Sequence, residues 1–136
     1  MKRSILILLF IMFINITIGC KSEKKKFTLI GKWKLVETLN NDGGGHIYHE
    51  KISNGRTFDF KENDKIINES GQIGRYQIEK LDSYSSFLHI SFPKGNEEYF
   101  SFTVEKNDPE KLMLNPNNSK HGNLCDEQCT EVYVKD

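Results

Sequence analysis

The chain has 136 residues, of which 19 are basic and 19 are acidic, so its formal net charge is zero. This balance gives no sign of the basic face that nucleic-acid binding calls for. The length suits one domain rather than two. We therefore expect a single folded unit and no nucleic-acid partner.

The N-terminal segment has the pattern of an export signal. Lys2 and Arg3 precede an unbroken apolar run over residues 5–14, which is shorter than the roughly 20 residues that a spanning helix needs. The segment ends in Thr17-Ile-Gly-Cys20, which resembles the lipobox of bacterial lipoproteins. The resemblance implies cleavage after residue 19 and attachment of palmitate-type chains to Cys20, which would anchor the protein to a membrane. The alternatives are an ordinary secretory signal and an uncleaved anchor, in either of which Cys20 would be a chance cysteine.

The segment after the cysteine is expected to be a tether. Removal of the signal peptide, residues 1–19, leaves 117 residues, with 17 basic and 19 acidic. Residues 20–26 would then be the lipidated cysteine and a charged, solvated tether, and residues 27–136 the folded domain. Lys21 stands where an aspartate would favour inner-membrane retention. We therefore expect an envelope location, at the outer membrane and facing the periplasm.

The rest of the chain has the periodicity of strands. β-Branched and aromatic residues alternate with polar ones in short runs, which Gly, Asn, Asp, Ser and Pro clusters separate. The predicted strands are Ile30–Leu39, His46–Ile52, Thr57–Lys61, Lys65–Glu69, Ile73–Leu81, Ser85–Phe92, Glu97–Lys106, Lys111–Asn115 and Thr130–Lys135. About eight antiparallel strands in one domain favour an all-β, closed up-and-down barrel, because closure removes exposed strand edges. A two-sheet sandwich is the alternative.

A short motif opens the first predicted strand. Gly31-Lys-Trp33 resembles the Gly-x-Trp motif of the lipocalin family, particularly the small lipocalin-like domains of bacterial lipoproteins. The resemblance implies a lipocalin-like barrel over residues 27–136. In it Gly31 would allow a tight turn at the barrel floor and Trp33 would plug that end. Lys135 is the candidate to stack on the tryptophan.

The predicted inward-facing residues are large and apolar. They include Trp33 and Leu35, and eight further residues form the candidate cavity lining: Phe58, Phe60, Tyr76, Ile78, Leu88, Ile90, Phe100 and Phe102. An eight-stranded barrel is either filled by side chains or holds one small ligand. The cavity hypothesis makes the protein a membrane-anchored binding module for a small apolar ligand. The alternative is a filled barrel that serves as an envelope interaction or structural lipoprotein, because Phe87, His89 and Tyr133 are expected to lean outward.

The sequence offers little sign of catalysis or of a cofactor. His46 and His49 form an H-x-x-H in a weak strand, and no nucleophile, base and orienter arrangement is recognisable. We expect no enzyme activity, no cofactor and no metal.

Two cysteines remain beyond Cys20. Cys125 and Cys129 favour a disulfide in an exported protein. A metal site that includes His121 is the alternative.

Overall fold

The computed structural model describes residues 27–80, 85–104, 108–119, 122–123 and 129–136. Within these ranges the chain is all-β, with a single 3-10 turn at Pro93–Gly95. The strands are β1 (Gly31–Asn41), β2 (Ile47–Lys51), β3 (Thr57–Lys61), β4 (Lys65–Asn68), β5 (Ile73–Lys80), β6 (Ser85–Phe92), β7 (Asn96–Val104), β8 (Lys111–Ser119), β9 (Gly122–Asn123) and β10 (Cys129–Lys135).

Eight of these strands close into one antiparallel barrel. Their order is β1–β3–β4–β5–β6–β7–β8–β10, and β10 pairs with β1 to complete the circuit. Strands β2 and β9 lie outside the circuit, where they pair with β1 and β8 respectively. The predicted all-β, up-and-down barrel is confirmed.

The two ends of the barrel differ. We call the end where β1 begins the floor; it also holds the β3–β4 hairpin and the end of β10, because Gly31 pairs with Phe60 and Trp33 pairs with Lys135. At this hairpin Asn63 and Asp64 have positive φ angles of 59° and 57°, a conformation that these two residue types tolerate well. We call the opposite end, where β7 begins, the mouth.

Strand alternation builds the core. Phe58 and Phe60 of β3 are buried while Thr57, Asp59 and Lys61 are not, as expected for side chains that alternate across a barrel wall. The buried apolar cluster includes residues from all eight barrel strands: Leu29, Trp33, Leu35, Phe58, Phe60, Ile66, Tyr76, Leu88, Ile90, Phe92, Phe100, Phe102, Leu112, Leu114 and Tyr133.

Burial differs from expectation at Ile78 and at Tyr133. Ile78 is 45 % exposed, because in the described ranges β4 pairs with β5 only as far as Arg75, so the residues that follow have no paired strand on that side. Tyr133, expected to lean outward, is fully buried in the core, since it lies opposite Leu35 and Leu112, which are themselves buried.

Several predicted features lie outside the described ranges. They are the signal peptide, Cys20, the tether over residues 20–26, His121 and Cys125. In the ranges that the structure describes, none of the secondary structure is a helix of the length and apolarity that a membrane crossing would require.

Candidate functional site at the barrel mouth

Most of the interior is filled by side chains in mutual contact. Seven of the eight predicted lining residues are buried, Ile78 being the exception. The centroid of the Phe58 ring lies 6.0 Å from that of Phe60, 6.3 Å from that of Phe100 and 5.7 Å from that of Tyr133. Such spacings are those of aromatic rings in contact. The middle of the barrel is therefore a packed core rather than an open chamber between these rings.

The floor is built around the Gly-x-Trp motif. Trp33 is fully buried, and its Nε1 donates a 2.7 Å hydrogen bond to the Leu29 carbonyl oxygen. Lys135 Nζ lies 5.2 Å from the centre of the Trp33 ring, within the range of a cation–π contact. Gly31 has a φ of +128°, and a Cβ there would lie 2.6 Å from Lys135 Cε. Glycine thus lets the lysine reach across the tryptophan at this end.

The mouth holds a charged cluster, which consists of Arg56, Glu98, Glu131 and Tyr133. Arg56 Nη1 donates to Glu98 Oε2 at 2.6 Å, and Nη2 donates to Glu131 Oε2 at 2.7 Å. Arg56 Nε donates to the Tyr133 hydroxyl at 2.8 Å, and that hydroxyl donates to Glu131 Oε2 at 2.8 Å. Each nitrogen of the guanidinium therefore has an oxygen partner.

Strand register places this cluster on the inner side of the wall. Glu98 pairs with Ile90 and Glu131 pairs with Leu114, and both partners are fully buried. The guanidinium carbon of Arg56 lies 4.8 Å from the Phe58 ring centre. The cluster is consequently a polar layer directly above the aromatic core.

The local backbone fixes where Arg56 stands. Arg56 lies in the connection between β2 and β3, and its carbonyl oxygen accepts a 3.0 Å hydrogen bond from Leu35 N. A Cβ on Gly55 would lie 2.0 Å from the Leu35 carbonyl oxygen, so no side chain fits there without a backbone shift. This close approach brings Arg56 over the barrel opening.

Burial and charge set the protonation states in the cluster. Burial raises the pKa of Tyr133 far above its ordinary value; the charge of Arg56 opposes this rise and Glu131 adds to it. The phenol is therefore neutral and able to donate. Burial opposes the charged form of Arg56, but Tyr133, Glu131 and Glu98 together raise its pKa, so the guanidinium stays charged.

A pocket of about 280 Å³ opens beside this cluster. Its walls carry charged, amide, aromatic and proline side chains: Arg56, Glu97, Glu98, Tyr99, Phe100, Pro116, Asn117 and Glu131. The volume lies just below the usual ligand-pocket range of roughly 300–1,000 Å³, so the ligand would be small. The mouth thus combines an apolar surface with fixed polar groups, which is the usual composition of a small-molecule site.

The other singled-out residues lie elsewhere. His49 Nδ1 is 2.9 Å from Glu37 Oε1 on exposed strand surface, and the described residues contain no group of three or more metal-ligating side chains. Phe87 was expected to lean outward into water, which is wrong, since it is only 4 % exposed. The His89 ring stacks on Tyr99 with centroids 4.5 Å apart. These residues do not join the mouth cluster.

The charged mouth residues were missed at the sequence level. The sequence does carry a sign of them: each charged residue stands two positions before an inward-facing aromatic residue, and therefore on the same face of the wall. Arg56 precedes Phe58, Glu98 precedes Phe100, and Glu131 precedes Tyr133, in each case by two residues. Charged residues of opposite sign in the phase of three apolar strands indicate an interior ion cluster, since isolated buried charges are costly.

Comparisons with known proteins give no relative. No family model matches the chain, and no curated protein or solved structure is significantly similar to it.

Proposed function

We propose that this protein is a membrane-anchored bacterial lipoprotein whose lipocalin-like barrel is a non-enzymatic binding module for a small ligand. The observation that carries the proposal is the mouth pocket, in which Arg56, Glu98 and Glu131 stand beside Phe100 and Pro116. The packed aromatic core leaves no open chamber between its rings, and at the mouth the apolar part of a ligand would lie against Tyr99 and Pro116.

The anchor is proposed from the N-terminal sequence. Cys20 follows a short apolar run, and two or more acyl chains would make the attachment lasting, since each buried CH₂ contributes about 0.8 kcal/mol. We further propose that the anchor lies in the outer membrane and that the domain faces the periplasm, as Lys21 favours.

The position of the chain ends supports an outward-facing mouth. Phe27 lies against Trp33 at the floor, with ring centroids 6.0 Å apart, and Asp136 N donates to the Lys32 carbonyl oxygen at 2.9 Å. A tether that enters at the floor would place the pocket at the end of the barrel away from the bilayer. A ligand would then arrive from the aqueous phase.

The disulfide remains a proposal. Cys129 is the first residue of β10 and does not carry a free thiol, which supports a bridge to Cys125. Alkylation with and without prior reduction, followed by mass measurement of the cysteine peptides, tests the pairing. A bridge would make both thiols reactive only after reduction.

Two experiments test the proposed function. Metabolic labelling with an alkyne fatty acid should mark the full-length protein, and Cys20→Ser should abolish both the label and the membrane fractionation. Native mass spectrometry of the detergent-solubilised lipoprotein should then show a bound small molecule that Arg56→Met reduces. A labelled Cys20→Ser variant would contradict the anchor, and a ligand-free spectrum together with no binding by any small-molecule probe would contradict the module.

The second candidate is a filled barrel that presents its surface to an envelope protein. The exposed apolar residues Ile47 and Tyr48 on β2 favour it, being 54 % and 56 % exposed. Crosslinking in intact cells from a photoreactive residue at position 48 should trap one defined partner under this hypothesis. Crosslinking from exposed Lys65 at the floor is the matched control.

A further inference from the structure

The mouth cluster holds unbalanced charge. It contains one guanidinium and two carboxylates, and the tyrosine is neutral, so the described groups of the cluster sum to one negative charge. The side chains of Arg56, Glu98 and Glu131 are 27 %, 32 % and 19 % exposed. At this partial burial an unpaired charge is less screened than on an open surface.

The carboxylates of Glu98 and Glu131 can still accept further hydrogen bonds. Within the described ranges, the hydrogen bonds of Glu98 and Glu131 engage Oε2 of each carboxylate. An ionised carboxylate has about four acceptor sites over its two oxygens. The two glutamates are held on different nitrogens of one guanidinium, and both residues line the same pocket.

We propose that the mouth pocket takes a small organic cation, a protonated amine attached to a compact apolar body. The ammonium group would lie against the free acceptors of Glu98 and Glu131, where it balances the cluster charge. The apolar body would rest on Tyr99 and Pro116 in the pocket of about 280 Å³. This inference rests on the proposed binding function of the mouth.

The same cluster disfavours an anion. Arg56 is the cation of the site, and its Nε, Nη1 and Nη2 already donate to Tyr133, Glu98 and Glu131. An incoming carboxylate would have to displace one of these bonds and would face two like charges. The arrangement therefore selects by charge sign, a selection that an apolar pocket alone could not make.

The test compares three probes that share one ring and differ in charge. Titration calorimetry on the full-length, detergent-solubilised lipoprotein would use 2-phenylethylammonium, neutral 2-phenylethanol and anionic phenylacetate. We expect the ammonium probe to bind at least tenfold more tightly than either of the others. Its affinity should fall as salt rises, because exposed charge pairs are screened.

Variants locate the binding. Glu98→Gln should lower the affinity for the ammonium probe at least tenfold, and Glu131→Gln should do the same. Glu98 is the safer change for folding because it is the more exposed of the two. Glu62→Gln changes the net charge equally at the exposed floor hairpin and should leave the affinity within twofold.

The outcomes distinguish failure of the cation proposal from failure of the binding module. If the neutral or the anionic probe binds most tightly, and Arg56→Met weakens that binding, the proposal of a cationic ligand is overturned. The proposal of a binding module then still stands. Ammonium binding that Glu98→Gln and Glu131→Gln leave unchanged would overturn the assigned site. Binding of none of the three probes would overturn the cation proposal, and the native mass spectrum would then decide whether the binding module stands.

Discussion

Phe58→Ala tests most directly whether the barrel interior is packed. Phe58 is 1 % exposed, and its ring contacts Phe60, Phe100 and Tyr133. Arg56 lies over the same ring at 4.8 Å. The substitution would remove a ring from the point where the aromatic core meets the charged mouth.

The expected loss of stability follows from burial. Truncation of a buried phenylalanine to alanine costs about 3–5 kcal/mol, from lost transfer free energy and the cavity left behind. The ring contacts place this site toward the upper half of that range, because aromatic pairs contribute roughly 0.5–1.5 kcal/mol beyond area. For a domain of this size the melting temperature should fall by about 12–20 °C.

Trp33 is the only tryptophan and is fully buried, so its fluorescence reports unfolding. Urea denaturation should show a lower midpoint for Phe58→Ala with an unchanged m-value. The matched control is Ile78→Ala, which should cost less than about 1 kcal/mol because this side chain is 45 % exposed. If Phe58→Ala lowers the free energy of unfolding by less than about 1 kcal/mol, the packed core is refuted and a ligand cavity inside the barrel is favoured.

Three further predictions concern other parts of the barrel. Gly74→Ala should destabilise the protein by about 1–3 kcal/mol in the same urea assay, because a Cβ would lie 2.6 Å from a backbone oxygen of β6; an unchanged midpoint would contradict this. Tyr133→Phe should cost about 1–2 kcal/mol, since the hydroxyl bonded to Arg56 is lost, and a neutral result would mean that the cluster reorganises without it. Asp42 has a lowered pKa, chiefly because Gly44 N donates to it, so this loop interaction should persist below pH about 3.9 and be lost as the pH falls through the lowered pKa; NMR titration of the loop amides with a midpoint at or above pH about 3.9 would contradict it.

Much of the fold could be predicted because each wall strand has a polar and an apolar face. Alternation in Thr57-Phe-Asp-Phe-Lys61 identified β3 and its inward side at once. β8 was predicted to end at Asn115 but continues to Ser119. Its last residues have poor strand propensity and are held by pairing, with Asn117 opposite Tyr99.

The site was harder to predict than the walls. Periodicity assigns a face to each residue but gives neither the offset between strands nor the end of a pairing, which is why Ile78 was placed inside. Tyr133 was placed outside because nothing in its own strand sequence sets the phase against Leu112. Arg56 lies in a connection, where alternation says little, and its role depends on Glu98 and Glu131 far along the chain.

The exposed edge of strand β2 bears on whether neighbouring copies of this protein associate. It pairs with β1 alone in the described part of the chain, and all five of its residues are exposed. Proteins confined to a surface meet one another in two dimensions at high local density, where an open strand edge can recruit a neighbour. The charged residues Glu50 and Lys51 close this strand, and such residues on an edge discourage sheet extension. Under the proposed membrane anchor, this short, charged end would help to keep neighbouring barrels separate.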